Sequence, residues 1–599
     1  MTRSGGGLAA AAGVGAVALC LSACGGGSTT TGSGGGNEGS PVRGGTLRII
    51  GQGGADNLDP TNSYTTTTNA LMRTYTRQLF GYPASTDPKT ASTPVADAAA
   101  EIPTVANGGL SADGRTYKIK IRQGIMWASS PPRPMVAQDF VRAFKHMCNP
   151  VKPVGSPNYY LPLIQGMQDY CNPYLTNTSI ASNLGAMEAY EDGHQIPGVQ
   201  ALDAGTIQFR LNEPASDFLN LLSMTFTSAM PQEYYRYTPG SLAEYNHLVS
   251  AGPYQVQSYS PGKSLTLVRN PSWSKSTDPL RNQYVDTIQI TEGQPNPQAV
   301  LQLLQSGSQD LAYDVAMDPS TLSQLAGRND PNLTVNGPPI GNPYLVFNLL
   351  SRNEGGAMGK VQVRQAIEYA INKVNLAKVY GGPKYNTPLN GVVPPDSVGY
   401  KDFNLYPTPN NQGDAAKCKQ MLAQAGYPGG LTLKATYRQT GVHPLIYQSY
   451  AQDLAACGIR VTGTAQQGAD FYAYLQTTNN ARQSRWDISA PGWSPDWFGN
   501  NGRANLQPLF SGQNWADGTS NYGDYDSPVT NALIEKANTS RTEADANAAW
   551  QAVNEQVMKD AVIVPFMAQK TPWYHSSRVR HAIWVPISQQ FDYTNLWLS

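Results

Sequence analysis

The chain is 599 residues long, more than one hydrophobic core usually serves, so several domains or subdomains are expected. Its 42 Lys+Arg balance its 42 Asp+Glu, leaving no basic excess to neutralise a phosphate backbone, which speaks against nucleic-acid binding. With 40% apolar residues, 33 Tyr and 10 Trp it can build a core, which excludes global disorder.

Arg3 is the only charge before an apolar run from Leu8 to Leu21. The run is shorter than the roughly 20 residues that span a bilayer, and Gly13 and Gly15 interrupt it, so residues 1–23 read as a secretory signal peptide. It ends in Leu21-Ser22-Ala23-Cys24, which resembles the lipobox of bacterial lipoproteins, in which the cysteine is lipidated. Cys24 is the expected lipidation site; the alternative is ordinary cleavage near Ala23 with Cys24 incidental. Cys20 is weaker, because Leu19 puts a large residue at the cleavage position. Residues 24–43, rich in Gly, Ser and Thr, cannot bury enough surface to order themselves and read as a flexible tether.

Export makes the compartment oxidising, and four cysteines remain: Cys148, Cys171, Cys418 and Cys457. The local pairs Cys148–Cys171 and Cys418–Cys457 are favoured among three connectivities. Buried free thiols are one alternative. A zinc site is another, but no pair has CxxC spacing, so no metal is expected.

Along the chain, Thr46 to Ile50 form a β run after Gly44-Gly45. Tyr117, Ile119 and Ile121 alternate with charged residues as a half-buried strand, and Phe140, Val141, Phe144 and Met147 follow helical spacing. Ile207, Phe209 and Leu211 alternate again, and residues 253–269 read as a hairpin turning at Pro261-Gly262. Val363, Ile367, Ala370, Ile371 and Val374 line one helix that stops near Gly381-Gly382. Cys418, Met421 and Leu422 line another, closed by Gly426; a strand follows from Leu431. Ile446, Tyr450, Leu454 and Cys457 line a helix closed by Gly458, and Ile459 opens the next strand. The alternation predicts an α/β lobe. No fixed-period repeat is visible.

Enzyme signatures are absent. Gly262-Lys263-Ser264 lacks the upstream glycine of a phosphate loop and falls at a hairpin turn. There is no GxSxG, HExxH or EF-hand loop, and the six His are scattered. No cofactor is expected.

A series of landmarks runs in order from Gly44 to the C-terminal region: GGTLRI at 44–49, NLDP at 57–60, TYKIKIRQGIMW at 116–127, DFVRAF at 139–144, GPYQV at 252–256 and LVRNPSW at 267–273. VDTIQI at 285–290, LLQSGSQDLAYDV at 303–315, YLVFN at 344–348 and VRQAIEYAINK at 363–373 follow, then DAAKCKQMLAQAGYPGG at 414–430, GWSPDW at 492–497 and VPFM at 564–567. Together they resemble the family 5 extracellular solute-binding proteins, the peptide-binding components of bacterial ABC importers. That resemblance implies a two-lobed α/β fold of the periplasmic-binding-protein type, with an extra subdomain inserted in the first lobe. Lobe I is expected at 44–62, 196–340 and 569–599, the inserted subdomain at 63–195 and lobe II at 341–568, with hinge crossings near 341 and 568.

The resemblance also implies a function: an anchored extracytoplasmic monomer that captures short peptides and delivers them to permease subunits. Asp496 matches the family aspartate that pairs with the peptide α-ammonium. Gly492 and Ser494 would meet the peptide backbone, and Trp493 and Trp497 would wall the site. Some relatives carry an arginine six residues before that aspartate; here the position is Ala490, so no carboxylate anchor is assigned. The family's DG turn is replaced within MWASSPPRPMVAQDF at 126–140. Trp486, Trp493 and Trp497 keep an oligosaccharide as the alternative ligand, and a secreted surface hydrolase is the alternative of a different class.

Overall fold

The computed structural model describes residues 39–63, 65–154, 157–315, 317–335 and 338–599; the signal segment, Cys24 and most of the tether lie outside the described residues. Thr46–Ile50 is the second strand of a five-stranded sheet, parallel to its neighbours Leu311–Ala312, at the edge, and Thr287–Thr291, at the centre. The sheet continues antiparallel through Ser264–Arg269 to Tyr254–Ser260. The last two strands are the expected hairpin, and Gly262 takes φ +71° at its turn, a conformation that favours glycine. Leu47, Ile49, Leu265, Leu267, Ile288 and Ile290 bury one face, and Phe591, Tyr593 and Leu596 from the C-terminal segment join the same core.

A second core runs from Leu79 to Ala251. Its sheet pairs Thr116–Lys120 with Thr206–Arg210, which pairs with Val199–Asp203. These last two strands, expected in lobe I, therefore share a sheet with Thr116–Lys120, which was expected in the inserted subdomain. The reason is apolar: Val199, Ile207 and Phe209 are buried beneath the helix Ala137–His146, with Phe144 edge-on to Phe209 at 5.2 Å. Cys148 and Cys171 are disulfide-bonded in this core.

The third region is a sheet ordered Ile459–Gln466, Leu431–Arg438, Ile488–Ser489, Tyr344–Phe347 and Ile563–Pro565. The first three strands run parallel; the helix His443–Ala456 is the crossover from Leu431–Arg438 to Ile459–Gln466, and the helix Ala415–Gln424 precedes them. Gly426 and Gly458 end these helices at φ +95° and +91°. Cys418 and Cys457, on one side of the sheet, are disulfide-bonded with Cα atoms 5.8 Å apart. The single helix expected from Val363 is two, Val361–Ala370 and Lys373–Val379. Asn372 breaks it: its side chain accepts from the Asn375 N–H, while its own N–H donates to Asp453 Oδ2 at 2.9 Å.

Two segments connect this region to the first sheet, and they pair with each other. Ile340–Gly341 is antiparallel to Ala568–Gln569, and Leu333–Val335 to Pro572–Tyr574. Among the described residues, no helix is long and apolar enough to cross a membrane.

Candidate functional site

The short strand Ile488–Ser489 sits in the middle of the third sheet, buried on both sides, and delivers the loop 490–500 from its end. A loop leaving a central strand can be held rigidly and still face open space. Gly492 passes so close to Asn342 that a Cβ would lie 2.3 Å from its Oδ1, so a larger residue would displace that side chain. Its N–H donates to Tyr472 Oη at 3.3 Å. Trp493 donates Nε1–H to the Ala504 carbonyl at 2.8 Å, which fixes the indole plane. The Ser494 hydroxyl accepts from the Gln589 amide, tying the loop to the C-terminal segment.

Gly492, Trp493, Ser494 and Asp496 all line one cavity of about 360 Å³, within the range of small-ligand sites. Tyr472 and Tyr522 bound it on the same side, and Thr66 and Tyr159 approach from the first core regions. Asp496 is the charged side chain among the lining residues described, and its Oδ2 accepts the Tyr159 hydroxyl at 2.6 Å. One carboxylate in a wall of aromatic and neutral polar groups gives the cavity a preference for a cationic group.

Trp497 departs from expectation. It is fully buried, packs edge-on against Tyr159 at 5.0 Å and belongs to the second core. Its Nε1–H donates to the Asn500 carbonyl at 2.8 Å. After Pro495 the chain turns, so Trp493 and Trp497 face different environments; a wall of both indoles assumes a periodicity the proline removes. Trp486 is also fully buried, so of the three tryptophans only Trp493 reaches the cavity.

One cation escapes sequence reasoning. Arg438, at the end of Leu431–Arg438, stacks its guanidinium 5.4 Å from the ring centres of both Phe471 and Tyr472. Its Nε is buried without a hydrogen-bond partner. Burial and the Arg438 charge push the neighbouring His443 imidazole down to about 3. A guanidinium held behind the cavity wall by aromatic faces retains donor capacity for an anion. Strand periodicity shows only that position 438 closes a strand, and nothing in it marks the residue as special.

Among the described residues no group of His, Cys, Asp and Glu could hold a metal ion. The cavity offers recognition groups rather than a nucleophile with an adjacent base.

Residues 98–517 match the family model of the bacterial extracellular solute-binding proteins, family 5. The chain is 23% identical to the glutathione-binding protein GsiB of Shigella flexneri over 548 residues, covering 90% of this chain and 91% of that one. Against GsiB of Salmonella typhi it is 24% identical over 550 residues, with the same coverage. Among solved structures, the clavulanic acid biosynthesis oligopeptide binding protein 2 superposes with a TM-score of 0.81 at 25% identity, covering 94% of this chain and 96% of that one. DppA from Helicobacter pylori, in complex with the peptide STSA, superposes with a TM-score of 0.69 at 21% identity, covering 93% and 98%.

Proposed function

We propose that this chain, which belongs to the family 5 bacterial extracellular solute-binding proteins, captures short peptides between two lobes and hands them to an import permease. Membership makes it an extracytoplasmic solute-binding protein of ABC importers, with the fold of that family, and a binder rather than an enzyme. The observation that carries the peptide reading is Asp496, a single carboxylate in a cavity otherwise lined by aromatic and neutral groups. A free α-ammonium is the cation that every peptide shares, so fixing it leaves the side chains free to vary. The oligosaccharide reading rests on stacked indoles, and only Trp493 lies at the cavity.

Lobe I is drawn around the first sheet, with the inserted subdomain extended to about residue 250, and lobe II around the third sheet from 341 to 568. The paired segments Ile340–Gly341 and Ala568–Gln569 serve as the hinge, because two adjacent extended crossings bend together at little cost.

The test is calorimetry on a two-by-two set. A peptide with a free amine and its N-acetylated form are measured against wild type and Asp496→Ala. Removing either partner of a buried ion pair costs about 3–5 kcal/mol, so wild type should lose a hundredfold or more on acetylation and the variant little. Equal affinity for both peptides in wild type removes Asp496 from the site.

Cys24 is proposed as the membrane anchor, since two or more acyl chains at about 0.8 kcal/mol per buried CH₂ hold firmly where one does not. Cys24→Ala should release the protein to the medium; membrane fractionation unchanged by the substitution would defeat the anchor.

A further inference from the structure

The loop that lines the cavity also fastens lobe II to the inserted subdomain, through residues that do not themselves line the cavity. Trp497 inserts into the other region's core, where it is fully buried. The Phe498 carbonyl accepts from the Tyr82 hydroxyl and the Asn220 amide, each at 3.1 Å. Gly499, at φ +90°, runs so close to the Ser92 carbonyl that a Cβ would lie 2.1 Å away. Asn500 donates to Ser216 Oγ at 3.0 Å.

At the end of this seam Arg503 meets Asp217 in a forked pair, Nε to Oδ2 at 2.7 Å and Nη2 to Oδ1 at 3.1 Å. Both side chains are 7% exposed. The guanidinium also donates to the Asn538 carbonyl at 3.1 Å, and next to it the Ser216 N–H donates to the Ser540 carbonyl at 3.2 Å. The seam divides two spaces: the 360 Å³ cavity holding Asp496, and a larger crevice of about 1090 Å³ lined by Ser216, Asn220, Gly499 and Asn500.

We propose that Asp217–Arg503, with the Trp497 plug, is a latch that sets the balance between closed and open lobes and so sets ligand affinity without contacting ligand. The inference rests on the two-lobe reading above. The physics favours a bias over a lock. Each ion is held by hydrogen bonds when the seam is shut, and each regains water when it opens, so neither state strands a charge. Arg503 is suited to this by its planar fork, which a lysine does not reproduce. A latch that populates the closed form before ligand arrives raises apparent affinity by the same factor, since a ligand binds in proportion to the competent population.

The experiment measures the distance between spin labels at the exposed positions 178 and 432, as Thr178→Cys and Thr432→Cys, in the full mature chain. It is run without ligand and with a random tetrapeptide library. Without ligand, Asp217→Ala and Gly499→Ala should each shift the closed-to-open ratio by about tenfold toward open, at an unfolding midpoint close to wild type. Arg503→Lys should shift it less. If the variants fold and their ligand-free distances match wild type while the library still closes every chain, the latch is wrong and the two-lobe reading stands. If the library changes no distance in any chain, the two-lobe capture reading itself fails.

Discussion

Two buried ionic groups, one beside the first sheet and one in the third region, solve the same problem in opposite ways. Beside the first sheet, Arg77, Asp97, Asp278 and Arg281 form a closed set with side chains no more than 1% exposed. Arg281 donates to Asp97 at 2.9 and 3.0 Å and to the Arg73 carbonyl at 2.8 Å; Arg77 donates to Asp97 at 2.7 Å and to the Thr277 carbonyl at 2.8 Å. The guanidinium groups hold the Asp278 carboxyl well below the usual carboxylate range against the opposing effect of burial. In the third region, Glu368 is buried with neither carboxylate oxygen hydrogen-bonded, and burial pushes its carboxyl up to about 8. Lys373, whose ammonium burial pushes down, donates instead to the Leu389 carbonyl at 2.8 Å and to Asn390 Oδ1 at 3.4 Å. A buried charge is tolerated where several donors converge on it and suppressed where they do not.

The largest effect expected from this contrast is at Arg281. Arg281→Ala leaves Asp97 and Asp278 facing one guanidinium in a dry site, at a cost of about 3–5 kcal/mol. Replacing all four residues together with apolar ones of similar volume should cost less than the single change, because no charge is then stranded. Denaturant midpoints of the two variants decide it. If the single variant is as stable as wild type, water reaches the set and the contrast with Glu368 collapses.

The same contrast shows how much was legible beforehand. Alternation at Tyr117–Ile121 and Leu431–Tyr437 located real strands, since period two needs only one buried face. The helix terminators Gly426 and Gly458 were readable for the same local reason. What failed was non-local. The break at Asn372 depends on Asp453, far along the chain, and the place of Val199–Arg210 depends on Phe144 covering its inner face and on pairing with Thr116–Lys120. At the site, Gly492, Trp493, Ser494 and Asp496 line one cavity, while Trp497 lies outside it because another region's core receives the indole. Arg438 was missed because its significance lies in the rings it stacks on, contributed by residues 471 and 472.

A smaller effect, with a sign that separates the two groups, is the pH dependence of stability. Asp278 has a folded pKa below its unfolded one, so its contribution is present above the ordinary carboxylate range and lost as pH falls beneath it. Glu368 is the reverse. Its folded pKa of about 8 exceeds the unfolded value of 4.5, so its contribution is complete below 4.5 and lost as pH rises toward 8. Glu368→Gln keeps the shape and removes the titration. Against wild type, the variant should gain roughly 1–3 kcal/mol between pH 5 and pH 8, because only wild type has a carboxyl that ionises on unfolding while burial keeps it protonated in the fold. Lys373 acts in the opposite sense and is raised by the Glu368 charge, so the difference between the chains reads the pair rather than one group. Urea midpoints at pH 5, 6.5 and 8 measure it. Parallel curves for the two chains would mean that Glu368 is ionised throughout, held by Lys373 despite the missing hydrogen bonds, and that the two buried groups obey one rule.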